Sequence, residues 1–275
     1  IIMIFAFLCL SENGLADLWK HVHEFKVEWI ISGLFCQLFN IFAESYLTYR
    51  FTKHHCDNYT MAKAISSTCI GMFFSAVTPS ASGGQPMQAY AMTTQGVDSG
   101  IATSVLIQKL IVYQSVLTGY SAVVLLLRFN YFSGTLGNVM RHLALFGFTI
   151  QCSIILVLLL FSFNKKLTNK LIVFVFKLLA KIKIIKKPEK HIEKLEKQLE
   201  LFHVGNKDLY KNKSMMLEAY VITAMQLTFL FLIPYCVYRS FGLYGSQAID
   251  MLCSESFTIM VSYFAPLPGA SGASE

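Results

Sequence analysis

Two short phrases carry the residues best placed to hold a charged group. Pro79-Ser80-Ala81-Ser82-Gly83-Gly84 lies in the first third of the 275-residue chain, and Pro268-Gly269-Ala270-Ser271-Gly272-Ala273 lies at its end. Each follows an apolar, aromatic run, Phe73–Val77 and Tyr263–Leu267, and each breaks it. Ser80, Ser82, Ser271 and Ser274 offer hydroxyls. Gly83, Gly84, Gly269 and Gly272 permit backbone angles and close approaches closed to other residues. A helix restarting after either break presents free N–H groups with partial positive charge, and Pro86, after Gln85, suits the first turn of such a helix. Together these features favour an anionic group, such as a lipid phosphate, held against the backbone. The plainer reading is that small residues allow tight helix packing. Two copies weigh towards a site.

Ionisable residues inside apolar stretches add to this set. Glu44 and Lys109 lie deep in theirs, whereas Arg50, Glu218 and Glu255 lie near the ends. Such charges face a bundle interior, pair, or line a pathway. Arg50 and Glu218 read as snorkelling to the interface, Glu44 and Lys109 as functional or paired. Gln85 and Glu275 end their motifs with one neutral and one acidic contact. The seven cysteines are scattered through mostly apolar runs without a CxxC or Cys/His cluster, so they read as small buried hydrophobes rather than metal ligands or a redox pair. No cofactor is implied, and without a nucleotide-binding loop direct use of ATP is not expected.

The elements that must position these residues are membrane helices. Hydrophobic residues make up 55% of the chain and charged residues 14%, against roughly 25% charged in soluble domains. Stretches long enough to cross about 30 Å of hydrocarbon fall at 27–49, 100–127, 143–163, 215–238 and 246–265, with Ile1–Leu10 as the tail of another. A start at Ile1 within an apolar run, and a stop at Glu275 directly after the second motif, read as a fragment. The organisation expected is a first membrane half over 1–163, a basic connector over 164–213, and the start of a second half over 214–275.

Charge sets the topology. Residues 164–213 hold 14 lysines against five acids, a net of +9 where the whole chain has +7. The positive-inside rule places this loop in the cytoplasm of a multi-pass cell-membrane protein. Lys166, Lys170, Lys177 and Lys181 share one helical face, so 165–187 is expected to lie on anionic membrane lipid. Within Glu189–Phe202, Ile192, Leu195, Leu199 and Phe202 form one stripe, the mark of a short helix packing on a partner. Nucleic-acid binding by these lysines lacks any aromatic stacking platform.

Parity then bears on the motifs. The 50–63 loop is mildly positive and the 11–28 loop acidic. If 62–78 crossed the membrane fully, the lysine-rich loop would end outside. If 62–78 and 86–95 form a re-entrant pair, every loop falls correctly, and the second copy approaches from the opposite face. The fold expected is an all-α polytopic membrane bundle with two re-entrant loops in an inverted repeat.

Thr78-Pro-Ser-Ala-Ser-Gly-Gly-Gln-Pro86 and Pro266-Leu-Pro-Gly-Ala-Ser-Gly-Ala-Ser-Glu275 resemble the signature loops of the lysylphosphatidylglycerol synthase transmembrane, or flippase-like, family. The resemblance covers essentially the whole chain, including the Trp19…Trp29 approach to the second helix. Gln108-Lys109 departs from it, standing where many relatives place an acidic residue before the basic one. The resemblance implies a membrane domain that flips lysyl-phosphatidylglycerol, made from phosphatidylglycerol, to the outer leaflet, where it repels cationic antimicrobial peptides. The headgroup would sit between the two loops. The substrate-binding set is then Thr78, Pro79, Ser80, Ser82, Gly83, Gly84, Gln85, Pro268, Gly269, Ser271, Gly272, Ser274 and Glu275, with Glu44, Arg50 and Lys109. Glu44 or Glu275 would neutralise the lysyl ammonium.

No catalytic residues are visible. Lysyl transfer from lysyl-tRNA would belong to a synthase domain beyond these residues, so an enzyme name of the phosphatidylglycerol lysyltransferase type would describe the parent protein. Two other readings stay open: a transporter of another lipid or solute, and a scaffold for a partner enzyme. Homo-oligomerisation is compatible with all three.

Overall fold

The computed structural model describes residues 25–79, 81–135, 137–166, 168 and 188–262. Eight helices make up this part, with no strand among the described residues: α1 Val27–Lys53, α2 Met61–Val77, α3 Gly84–Thr94, α4 Ser99–Thr135, α5 Gly137–Phe163, α6 Pro188–Lys211, α7 Lys213–Ser240 and α8 Ala248–Ser262. Four are long and apolar enough to cross a membrane: α1, α4 over Ser99–Leu126, α5 over Leu145–Phe163, and α7. The fold is an all-α membrane bundle, and these four match four of the five expected spans. The fifth, 246–265, is helical over Ala248–Ser262, and its remainder lies outside the described residues, as do Ile1–Leu10 and nearly all of 165–187. At 37 residues α4 overshoots its expected span by about two turns.

The apolar pattern dictates what faces outward. On α1, Ile31, Leu34, Phe35, Leu38 and Phe42 are all more than half exposed, a stripe at helical spacing that fits lipid rather than water. The opposite face packs against α7 in antiparallel fashion. At one end the Lys26 N–H donates to the Ser240 carbonyl at 2.9 Å. Towards the other, Arg50 Nε stands 3.3 Å from Glu218 Oε2. Cys36 of α1 and Cys236 of α7 are both buried in this region. Cys69 and Cys152 are exposed on the surface of the bundle, contrary to the burial expected of them.

Helices α2 and α3 form a hairpin. Thr60 caps α2 by accepting from the Lys63 N–H at 3.4 Å, and both feet stand at the end of the bundle where α6 lies, joined by a Lys63 Nζ to Gln95 O bond of 3.3 Å. Seventeen residues make α2 about 25 Å long, so the tip stops short of the far end of α1. Around the feet lies the main core, including Leu47, Phe51, Met92, Val105, Leu209 and Met215. A smaller cluster of Leu117, Leu227 and Phe231 fills the other half.

The connector helix is longer than its predicted Glu189–Phe202, running from Pro188, a favoured first-turn residue, to Lys211. The partner its stripe requires is α4. Leu199 and Phe202 are buried, while the side chains of Ile192 and Leu195 lie outside the described set. Gln198 Oε1 accepts from the Gly100 N–H at 2.7 Å and from Ser99 Oγ at 2.8 Å, capping α4 from another helix. The backbones nearly touch. A Cβ on Gly100 would meet the Gln198 carbonyl at 2.3 Å.

Candidate functional site

The first motif makes the turn between α2 and α3. Thr78 Oγ1 donates to the Phe74 carbonyl at 2.6 Å and accepts the Gly83 N–H at 2.9 Å. The Ser82 and Gly84 amides donate to the Pro79 and Ala81 carbonyls at 3.1 and 3.3 Å. The amides at the start of α3 are thus partly engaged within the turn. Gln85 and Pro86 stand in the first turn of α3, as expected.

The glycines of this motif work by close approach. The residue with left-handed backbone is Ala81, at φ 53°, whereas Gly83 has an ordinary φ of −81°. A Cβ on Gly83 would stand 2.6 Å from Thr78 Cγ2, and one on Gly84 only 1.9 Å from Ser75 Oγ. Close packing of the hairpin legs therefore accounts for both. Ser80 and the whole second motif, Pro268, Gly269, Ser271, Gly272, Ser274 and Glu275, lie outside the described residues.

Glu44 and Lys109 come together. Lys109 Nζ lies 2.6 Å from Glu44 Oε1 and donates to Thr48 Oγ1 at 2.5 Å. Lys109 is 5% exposed and the Glu44 side chain 23%. Three further helices converge on this pair. From α7, Gln226 Nε2 donates to Glu44 Oε2 at 3.3 Å and to Asn40 Oδ1 at 2.9 Å. From α3, Gln88 Nε2 donates to Thr48 Oγ1 at 3.3 Å and to Thr68 Oγ1 of α2 at 3.4 Å. An ion pair joining α1 to α4 is in this way wired to the hairpin that carries the first motif. Asn40, Thr48, Thr68, Gln88 and Gln226 are all buried. An interior of low polarity makes each such bond count, because an unmet polar group there is costly.

Arg50 and Glu218 are not simply snorkelling. They pair with each other, and Tyr46 OH donates to Glu218 Oε1 at 2.6 Å. Both remain about a third exposed, so Arg50 stands beside the inner cluster rather than in it. Among the described residues no group of His, Cys, Asp and Glu has a metal-binding arrangement.

The polar partners Asn40, Thr48, Gln88 and Gln226 were not singled out from sequence. One signal was available: Asn40, Glu44 and Thr48 recur every four residues along one face of an apolar helix. Gln88 and Gln226 carry no such mark, because a single amide in an apolar helix does not reveal its partner.

Comparison with known proteins agrees with this architecture. The family model described as "Lysylphosphatidylglycerol synthase TM region" matches residues 1–275. A UPF0104 membrane protein of Archaeoglobus fulgidus is 25% identical over 255 residues, covering 90% of this chain and 70% of that protein. No solved structure matches. With a match over its whole length, and with membrane-spanning helices that fit it, the chain belongs to the family of the lysylphosphatidylglycerol synthase transmembrane region.

Proposed function

We propose that this domain carries aminoacylated phosphatidylglycerol, lysyl-phosphatidylglycerol first of all, from the inner to the outer leaflet, lowering the attraction of cationic antimicrobial peptides to the membrane. The observation that carries this reading is the pair of buried Lys109 with half-buried Glu44 and its link through Thr48 and Gln88 to the hairpin. A lipid headgroup with an ammonium and a phosphate needs an acid and a base inside the membrane. Unpaired, each would be expensive there; paired with each other, they form a resting state that a substrate can replace.

In this mechanism the α2–α3 hairpin is re-entrant, entering from the cytoplasmic side and returning to it, with Thr78–Gly83 at mid-depth. The lysyl ammonium displaces Lys109 from Glu44 and is held there with Asn40 and Gln226. Lys109, released, takes the phosphate together with hydroxyls of the motif. The acyl chains stay in lipid. The second motif, Pro268–Glu275, closes the cavity from the other face, and the +9 connector rests on anionic lipid in the cytoplasm. Lysyl transfer from lysyl-tRNA belongs to a separate synthase.

The test is to express this domain with a separate synthase and label outer-leaflet lysyl-lipid with an amine reagent that does not cross the membrane. Glu44→Gln, Gly83→Leu and Gly272→Leu are expected to reduce labelling about tenfold at unchanged total lysyl-lipid. Unchanged labelling in variants that still insert would sink the cavity. Labelling that never depends on the domain would leave a scaffold role in its place.

A further inference from the structure

At the end of the bundle away from α6, two cations are built onto one aromatic ring. The Arg239 guanidinium lies 3.9 Å from the centre of the Tyr244 ring and 5.0 Å from that of Trp29. Lys26 Nζ lies 4.6 Å from the same Tyr244 ring and donates to its hydroxyl. The Lys26 N–H to Ser240 bond fixes both cations at the junction of α1 and α7. Gly245 N–H, bonded to Tyr238 OH at 3.0 Å, pins the loop that carries Tyr244. Among the described residues no carboxylate lies within ion-pair distance of either cation. Arg239 Nε, itself buried, also has no hydrogen-bond partner among the described residues. Aromatic faces hold cations in place but leave the in-plane N–H donors of a guanidinium unused.

We propose that this junction binds the phosphodiester of an anionic phospholipid between Lys26 and Arg239. An anion there satisfies Arg239 Nε and relieves the repulsion between two fixed like charges, and a guanidinium fork matches phosphate geometry. The surroundings point to a lipid rather than a free anion. Val27 is 62% exposed, Phe241 56% and Leu243 49%, an apolar rim along which acyl chains can lie. Trp29, Tyr235 and Tyr244 stand where a membrane interface collects such rings. Twenty-eight residues of α7 put this seat about 42 Å from the α6 end, in the opposite leaflet region from the basic connector. The site is separate from the Glu44–Lys109 cluster and does not depend on translocation.

The experiment uses the whole chain in nanodiscs of phosphatidylcholine with graded phosphatidylglycerol, counting lipids retained by native mass spectrometry. The wild type is expected to retain phosphatidylglycerol in preference to phosphatidylcholine. Lys26→Gln and Arg239→Gln are each expected to cut that preference about fivefold, with Lys26→Arg restoring it. Lys26 is exposed, so its replacement does not threaten folding. Equal preference in wild type and Lys26→Gln, or none in the wild type, overturns the proposal. Displacement of the retained lipid signal by millimolar inorganic phosphate would also overturn it, by making the seat one for a soluble anion.

Discussion

A Cβ on Gly84 would stand 1.9 Å from Ser75 Oγ, 3.1 Å from Ser75 Cβ and 3.0 Å from the Gly71 carbonyl oxygen. The two legs of the hairpin thus meet through their backbones at this level. Gly84→Ala is expected to destabilise the domain by about 1–3 kcal/mol, the usual range for overpacking. Adding Ser75→Ala should recover only part of the loss. It removes the hydroxyl but leaves the Gly71 carbonyl and the residue 75 Cβ in place. Thermal unfolding in detergent of the single and double variants checks this. A Gly84→Ala protein as stable as the wild type would mean that the legs are free to separate.

The glycine-rich break itself was readable from sequence, since small residues interrupting an apolar run demand a structural reason. Which of them needs a special backbone was not. The left-handed position went to Ala81, a choice made by the geometry of the turn and invisible in composition. Spans were legible because hydropathy is local. Glu44 and Lys109 could each be picked out, because a charge in apolar chain is costly wherever it points. That they face each other depends on α1 and α4 being neighbours, a relation between helices that no local pattern encodes. The same holds for Arg50 and Glu218, whose positions near span ends suggested lipid headgroups as partners.

The Glu44–Lys109 pair makes a specific prediction for double variants. Removing one member leaves the other charged and poorly solvated, so Lys109→Met or Glu44→Gln alone should cost about 3 kcal/mol. Glu44→Gln with Lys109→Met should recover more than half of that stability and none of the lipid exposure. A double-mutant cycle by thermal unfolding measures the first, and outer-leaflet labelling the second. Additive losses would show that the two residues do not interact.

Docking of the connector rests on the Gly100–Gln198 contact. Gly100→Leu must push α6 away, since the Cβ alone would meet the Gln198 carbonyl at 2.3 Å and Leu201 Cβ at 2.9 Å. Lys197, Lys207 and Lys211 of α6 are already exposed, so undocking acts by letting the helix unwind around them. Tryptic cleavage there is expected to quicken about tenfold or more, in step with the undocked population. Gln198→Ala removes the cap on Ser99 and Gly100 but leaves the packing, so its effect should be smaller, about 1 kcal/mol. If Gly100→Leu is cleaved at the wild-type rate, α6 is not held by α4.

The same junction should loosen in acid. His55, just past α1, has its pKa held below the usual histidine value, first by burial and then by the neighbouring His54. Asp208 of α6 opposes the shift with its Oδ2 3.9 Å away. His203 of α6 is lowered as well, by burial and by Lys165, against the Ser162 backbone. A depressed folded-state pKa means that the unfolded or undocked state binds more protons once pH falls below about 6.5. Stability contributed by the two neutral imidazoles is therefore complete above that pH and is lost as pH falls through their lower folded-state values. Unfolding temperature should drop between pH 7.5 and 5, and His55→Gln with His203→Gln should flatten that slope. Both substitutions leave in place the Asp208 contact to His54, 3.0 Å from Nε2 to Oδ2. Asp208→Asn removes the only carboxylate facing both His54 and His55 among the described residues, so it should steepen the loss. A slope unchanged in the double histidine variant would place the acid sensitivity elsewhere in the bundle.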